Sequence, residues 1–137
     1  MAILNTDTEI ASLLRRSRTI AVVGLSGTPH RDSHRVALYL QQQGYMIMPV
    51  NPTVREVLGQ AAFPDLESIG HPVDIVNVFR RPEYVPAIAA SAISSGARAL
   101  WLQFDTVDED AAKRASAAGL DVVLDRCIMV EHRRLIS

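Results

Sequence analysis

Two glycines three residues apart, Gly24 and Gly27, follow the apolar run Thr19-Ile20-Ala21-Val22-Val23. A glycine-bearing turn between a strand and a helix lets the backbone approach a phosphate without a Cβ in the way. The helix beyond it offers unpaired N–H groups and the positive end of its dipole. Ser26 lies inside this turn, and Arg31 and Arg35 flank it as candidate cationic partners. The spacing Gly24-x-x-Gly27 is not the G-x-G-x-x-G of dinucleotide sites, so a tight turn without a ligand stands beside the phosphate reading. Further on comes Pro49-Val50-Asn51-Pro52. A typical NAD site carries Asp or Glu there, roughly 20 residues past the glycines, for the ribose diol. The neutral Asn51 leaves room for a ribose phosphate instead. Phe79-Arg80-Arg81 supplies two guanidinium groups suited to phosphate oxygens, of which one is expected to meet a ligand.

Other reactive side chains point nowhere in particular. His30 and His34 are four apart, but no Glu stands between them as in a helical zinc motif and no cysteine is near. Ser26 has no sequence-adjacent base. Cys127, beside Asp125 and Arg126, reads as a buried structural thiol, and Trp101 as core. No pair reads as nucleophile and base, so a catalytic residue is not expected, nor a metal.

The elements that must position these residues alternate. Thr8 to Arg16 reads as an amphipathic helix. Thr19 to Val23 is a strand buried on both faces. Asp32 or Ser33 is expected to cap a helix closed by Gly44. Tyr45 to Val50 is the second strand. Residues 54–63 read as an irregular connection with one helical turn. Val73 to Phe79 is the third strand, and Pro82 and Pro86 fit the start of the helix that ends at Gly96. Ala97 to Phe104, a helix over Asp108 to Ala118, the strand Leu120 to Leu124 and a helical segment over Cys127 to Ile136 complete the chain. Such alternation predicts a Rossmann-like α/β fold, a five-stranded parallel sheet with helices on both faces. The expected order is 3-2-1-4-5, with ligands at the switch point beside strand 1.

The 137 residues suit one domain spanning 1–137, with residues 1–17 as an N-terminal helix packed on it. The net charge of −1 argues against a nucleic-acid partner. A single cysteine excludes an internal disulfide, and no apolar run approaches a membrane span. Met1 to Ile10 lacks a signal-peptide pattern, so the cytoplasm is the expected compartment.

Taken together, Ala21-Val22-Val23-Gly24-Leu25-Ser26, Ser33-His34-Arg35-Val36, Gly44-Tyr45, Pro49-Val50-Asn51-Pro52, Val73-Asp74 with Val78-Phe79-Arg80, Trp101-Leu102-Gln103, and Asp125-Arg126-Cys127 with Glu131-His132 form a pattern. In this the chain resembles the small stand-alone bacterial CoA-binding domain proteins, themselves similar to the CoA-binding domain of the succinyl-CoA synthetase alpha subunit. The resemblance implies coenzyme A across the carboxyl edge of the sheet, against Gly24, Leu25, Ser26, Asn51, Pro52, Phe79, Arg80 and Gln103. Gly27, Arg31, Ser33 and Arg35 complete the expected binding set. Asp105 is a departure, standing where the family usually keeps a glycine. The synthetase relatives carry a second domain with a phosphorylated histidine, which has no counterpart here, so the resemblance implies binding without a reaction. Two alternatives stay open. Arg80 suits the 2′-phosphate of NADP, as in a redox sensor or reductase. A partner chain could also make this the CoA-binding subunit of an acyl-CoA ligase.

Overall fold

The computed structural model describes residues 3–136; residues 1, 2 and 137 of the expected domain lie outside it. Five strands form the main sheet: β1 (Thr19–Val23), β2 (Met46–Val50), β5 (Ile75–Val78), β6 (Ala99–Leu102) and β7 (Asp121–Leu124). All neighbours are parallel, in the order β2-β1-β5-β6-β7. Between β2 and β5 the chain makes a two-stranded hairpin, β3 (Glu56–Val57) and β4 (Gln60–Ala61). The helices are α1 (Asp7–Arg16), α2 (Asp32–Gln42), α3 (Val85–Ser94), α4 (Glu109–Ala117) and α5 (Ile128–Leu135).

The Rossmann-like sheet agrees with the sequence reading, with a refinement. Phe63 forms one parallel bridge with Val50, its N–H donating to the Pro49 carbonyl at 2.8 Å. That bridge occupies the outer third place of the 3-2-1-4-5 arrangement. The strand counted third in the sequence, around Ile75–Val78, therefore lies on the other side of β1. The chain reverses direction across the sheet between β1 and β5, which sets the switch point there.

Residue alternation divides the core. Ile20, Val22, Ile47, Ile75, Trp101 and Val123 face α1, α2 and α5, whereas Ala21, Val23, Val50, Val76, Val78, Leu100 and Leu102 face α3 and α4. With both faces covered, the strands read as continuous apolar runs. Small residues (Ala89 and Ala92 in α3; Ala111, Ala112 and Ala115 in α4) let those helices sit close to the sheet and to each other. Trp101 is fully buried, its indole N–H donating to the Arg126 carbonyl at 2.8 Å, as a core residue.

Two expectations about local structure need correction. Arg31, not Asp32 or Ser33, is the N-cap of α2, and no side chain caps that helix. The Ser33 hydroxyl turns back to accept the Ser26 N–H instead. Residues 54–63 contain the β3–β4 hairpin rather than a helical turn, because Leu58 and Gly59 both take positive φ, 56° and 76°. That is the paired left-handed geometry of a tight hairpin turn.

Helix α1 begins with a capping box, the Glu9 N–H donating to Thr6 Oγ1 and the Thr6 N–H to Glu9. Arg134 of α5 donates to both carboxylate oxygens of Asp7, at 3.0 and 2.7 Å, and to Glu131, which also accepts from Arg126. Hydrogen bonds from Arg134 hold the Glu131 carboxyl below its usual range against the opposing effect of burial. His132 is buried with Nδ1 2.7 Å from the Tyr39 hydroxyl, and burial pushes its pKa down. A depressed folded-state pKa means the unfolded chain takes up the proton first as pH falls. The contribution of His132 is thus complete above its unfolded value, roughly 6.5, and lost below it. Thermal unfolding should show a midpoint falling from pH 7.5 to pH 5, and His132→Gln should flatten that slope; a wild-type midpoint constant over this interval would contradict the assignment.

Candidate functional site

The carboxyl ends of β1, β2 and β5 meet the N-terminus of α2, and two cavities open there. One, of about 350 Å³, is lined by Gly24, Ser26, His30, Arg31, Asp32, Ser33 and Phe79. The other, of about 230 Å³, is lined mainly by Val23, Val50, Pro52, Pro64, Leu66, Tyr84 and Ile88, with Arg80 and Asp65 as its charged groups. Consecutive residues contribute one to each cavity (Val23 and Gly24, Phe79 and Arg80), so the two lie back to back across the switch point. The first is polar and ends on the uncapped first turn of α2. The second is apolar and faces α3.

Gly24 forms the wall between them. It takes φ +88°, and a Cβ on it would lie 2.8 Å from the Phe79 carbonyl oxygen and 2.9 Å from Arg80 Cδ. The loop beyond is held from three directions. Ser33 Oγ accepts the Ser26 N–H at 3.0 Å, and Ser26 Oγ accepts the Thr28 N–H at 3.0 Å. Asn51 Nδ2 donates to the Leu25 carbonyl at 3.0 Å, while Asn51 Oδ1 accepts from the Thr53 N–H and hydroxyl. Leu25 anchors the loop by burying its side chain completely.

Arg80 lies with its guanidinium carbon 4.2 Å from the centre of the Tyr84 ring, and Arg81 approaches the same ring at 5.7 Å. Such stacking fixes the guanidinium plane while leaving its N–H groups available. Neither arginine pairs with a carboxylate among the described residues. Arg35, by contrast, is paired with Asp32.

Of the residues singled out in the sequence, Gly24, Ser26, Arg31, Ser33 and Phe79 line the polar cavity, and Pro52 and Arg80 the apolar one. Leu25, Gly27, Arg35, Asn51 and Gln103 lie outside both linings. Gln103 is buried, its Oε1 accepting from Asn77 Nδ2 and from the Ile128 N–H at 2.9 Å each. It thereby caps α5 from the end of β6. Cys127, the N-cap of α5, is buried and also outside both cavities. Asp105 adopts φ +62°, the left-handed backbone a glycine would take, so the departure there keeps the turn. Sequence reading missed Tyr84, Leu66 and Ile88. The first had a signal, an aromatic residue one helical turn past two arginines.

A model of the CoA binding domain matches residues 18–133. The chain belongs to the CoA-binding domain family. It is 46% identical over 124 residues to the protein YneT of Bacillus subtilis (strain 168), covering 90% of this chain and 92% of that protein. A hypothetical protein from Pyrococcus horikoshii OT3 shares the fold with a TM-score of 0.94 at 39% identity, covering 97% of this chain and 94% of that one. The chain is also similar to the ADP-forming acetate–CoA ligase II of Archaeoglobus fulgidus (strain ATCC 49558), 26% identical over 100 residues. That match takes in 72% of this chain and 15% of the ligase.

The two loop glycines should behave differently. Gly24→Ala meets backbone on one side and an unfavourable φ on the other, and should cost about 1–3 kcal/mol in denaturant unfolding. Gly27 has no positive φ, and a Cβ there comes no nearer than 3.7 Å to Val54, so Gly27→Ala should stay within about 0.5 kcal/mol of wild type. Equal losses at both positions would refute this division of roles.

Proposed function

We propose that this chain holds coenzyme A, or a small acyl thioester of it, at the carboxyl edge of the sheet and performs no chemistry on it. The reading is carried by the pairing of a polar cavity with an apolar one across the switch point. The donor set fits the group. In the polar cavity the first turn of α2 and Arg31 would hold the pyrophosphate, with the Ser26 hydroxyl beside them. In the apolar cavity Val23, Val50, Leu66 and Ile88 would take a flat base. Arg80, stacked on Tyr84 and sharing that cavity with Pro52, would meet a ribose phosphate. The adjoining Asn51 brings no negative charge to that place. Asn51, Ser33 and Leu25 act by positioning the loop.

The absence of a reaction is supported by what lines the cavities. Their titratable groups are His30, Arg31, Asp32, Asp65, Arg80 and Tyr84, and Cys127 is outside both. Catalysis on a thioester needs a nucleophile with a base oriented beside it. The relationship to an acetate–CoA ligase supports a subsidiary reading in which a partner chain supplies chemistry while this chain supplies CoA. The cytoplasm, where CoA is abundant, is the compartment that suits either reading.

Titration calorimetry with CoA, dephospho-CoA, NAD and NADP tests the proposal. CoA should bind tightest, and Arg80→Ala should erase its advantage over dephospho-CoA, which lacks the 3′-phosphate. Ser26→Asp should weaken CoA by about 1–3 kcal/mol while leaving the fold intact, since a carboxylate can still accept the Thr28 N–H. Cys127→Ser should change affinity by less than about 0.5 kcal/mol. Tighter binding of NADP than of CoA would favour the redox reading and sink this one.

A further inference from the structure

At the opposite edge of the sheet the C-terminal ends of α1, α2 and α5 converge on a cavity of about 290 Å³. Five of its lining residues decide its character: Arg15, Ser17, Arg18, Tyr45 and His132. Helix C-termini carry partial negative charge and by themselves repel anions. Some of those carbonyls are already occupied, the Leu135 carbonyl of α5 by Arg15 at 3.5 Å and two of α1 by hydroxyls. The Ser17 hydroxyl donates to the Leu13 carbonyl at 2.7 Å, and the Tyr45 hydroxyl to the Leu14 carbonyl at 2.6 Å. The lining residues that carry or can take positive charge are Arg15, Arg18 and His132. Neither Arg15 nor Arg18 pairs with a carboxylate among the described residues, whereas the adjacent Arg16 does, with Asp121. His132 is 5% exposed, and its Nδ1 is held by the Tyr39 hydroxyl, which leaves Nε2 as the nitrogen without a hydrogen-bond partner among the described residues.

We propose that this cavity is a second ligand site, for a compact oxyanion carrying two negative charges. Arg15 and Arg18 supply fixed charge, and His132 supplies a donor through Nε2. The site is independent of the CoA reading, since it shares no residue with either cavity at the carboxyl edge. The buried imidazole is neutral at pH 8 and takes up a proton as the anion enters, so binding tightens as pH falls. The other charged and titratable groups around the ring are Tyr39 from α2, Tyr45 before β2, and Glu131, Arg133 and Arg134 from α5 itself. Glu131 is already engaged by Arg126 and Arg134, so it does not neutralise the imidazolium in the anion's place.

Side-chain NMR of the four histidines in the full-length protein tests this, with sulfate as the probe because its charge is constant between pH 5.5 and 8. Sodium chloride of matched ionic strength serves as control. The expected result is a saturable shift of His132 that is independent of any shift at His30, with affinity at pH 5.5 roughly tenfold that at pH 8. His30 reports any ion entering the polar cavity at the other edge, and His71 reports nonspecific salt effects. Arg18→Ala and Arg15→Ala should each weaken the sulfate response, and the pair should abolish it with the fold intact by circular dichroism. Malonate in place of sulfate distinguishes a dicarboxylate site from a tetrahedral-anion site. A His132 shift that never saturates, matches that in chloride, or survives in the double variant would overturn the proposal.

Discussion

No L side chain fits comfortably at position 24. With φ +88° and the Phe79 carbonyl oxygen 2.8 Å from where a Cβ would stand, only glycine brings the end of β1 this close to the end of β5. That contact closes the switch point. The Gly24 N–H donates to the Val50 carbonyl, and the Phe79 N–H donates to the Val23 carbonyl, each at 2.9 Å. The three strand ends are thereby tied together at one spot. The loop then leaves toward α2, while Arg80 leaves toward α3 and comes to rest on Tyr84. Back-to-back cavities of different polarity follow from that divergence.

The loop that lines the polar cavity is stiffened by side chains that hydrogen-bond to its backbone. Ser33 reaches back to Ser26, and Asn51 joins Leu25 to Thr53. In sequence, these polar residues near a glycine-bearing turn read as ligand contacts. In the fold each also bonds the loop backbone, and the first turn of α2, which borders the polar cavity, has no side-chain cap. Preorganisation of this kind lowers the entropic cost of binding a charged ligand. Gln103 likewise holds structure in place, its amide capping α5 and joining β5 to β6.

Strands and helices were legible because burial on both faces of a parallel sheet forces apolar runs, and because Gly44, Gly96 and Gly119 end helices with positive φ. Where one residue does the work of a strand, no pattern exists to read. Phe63 alone occupies the outer position beside β2, so the placement of Ile75–Val78 next to β1 was hidden. Leu58 in a left-handed turn position likewise carries no hairpin signal, since Asn or Gly is the usual occupant. Residue type alone singled out Gly24, Ser26, Arg31, Phe79 and Arg80, which line the two cavities. In the apolar wall Tyr84 and Ile88 are one helical turn apart, but Leu66 comes from a separate segment before β5, and spacing does not connect it to them.

The central claim is that CoA is held at this edge of the sheet and in both cavities at once. Backbone amide shift mapping during CoA addition addresses ligand and place together. The account predicts saturable shifts in Gly24–Ser33, Thr53, Leu66 and Arg80–Ile88, with β7 and α4 unmoved. Shifts confined to β7 and α4, or none at CoA concentrations up to the millimolar range, would contradict it.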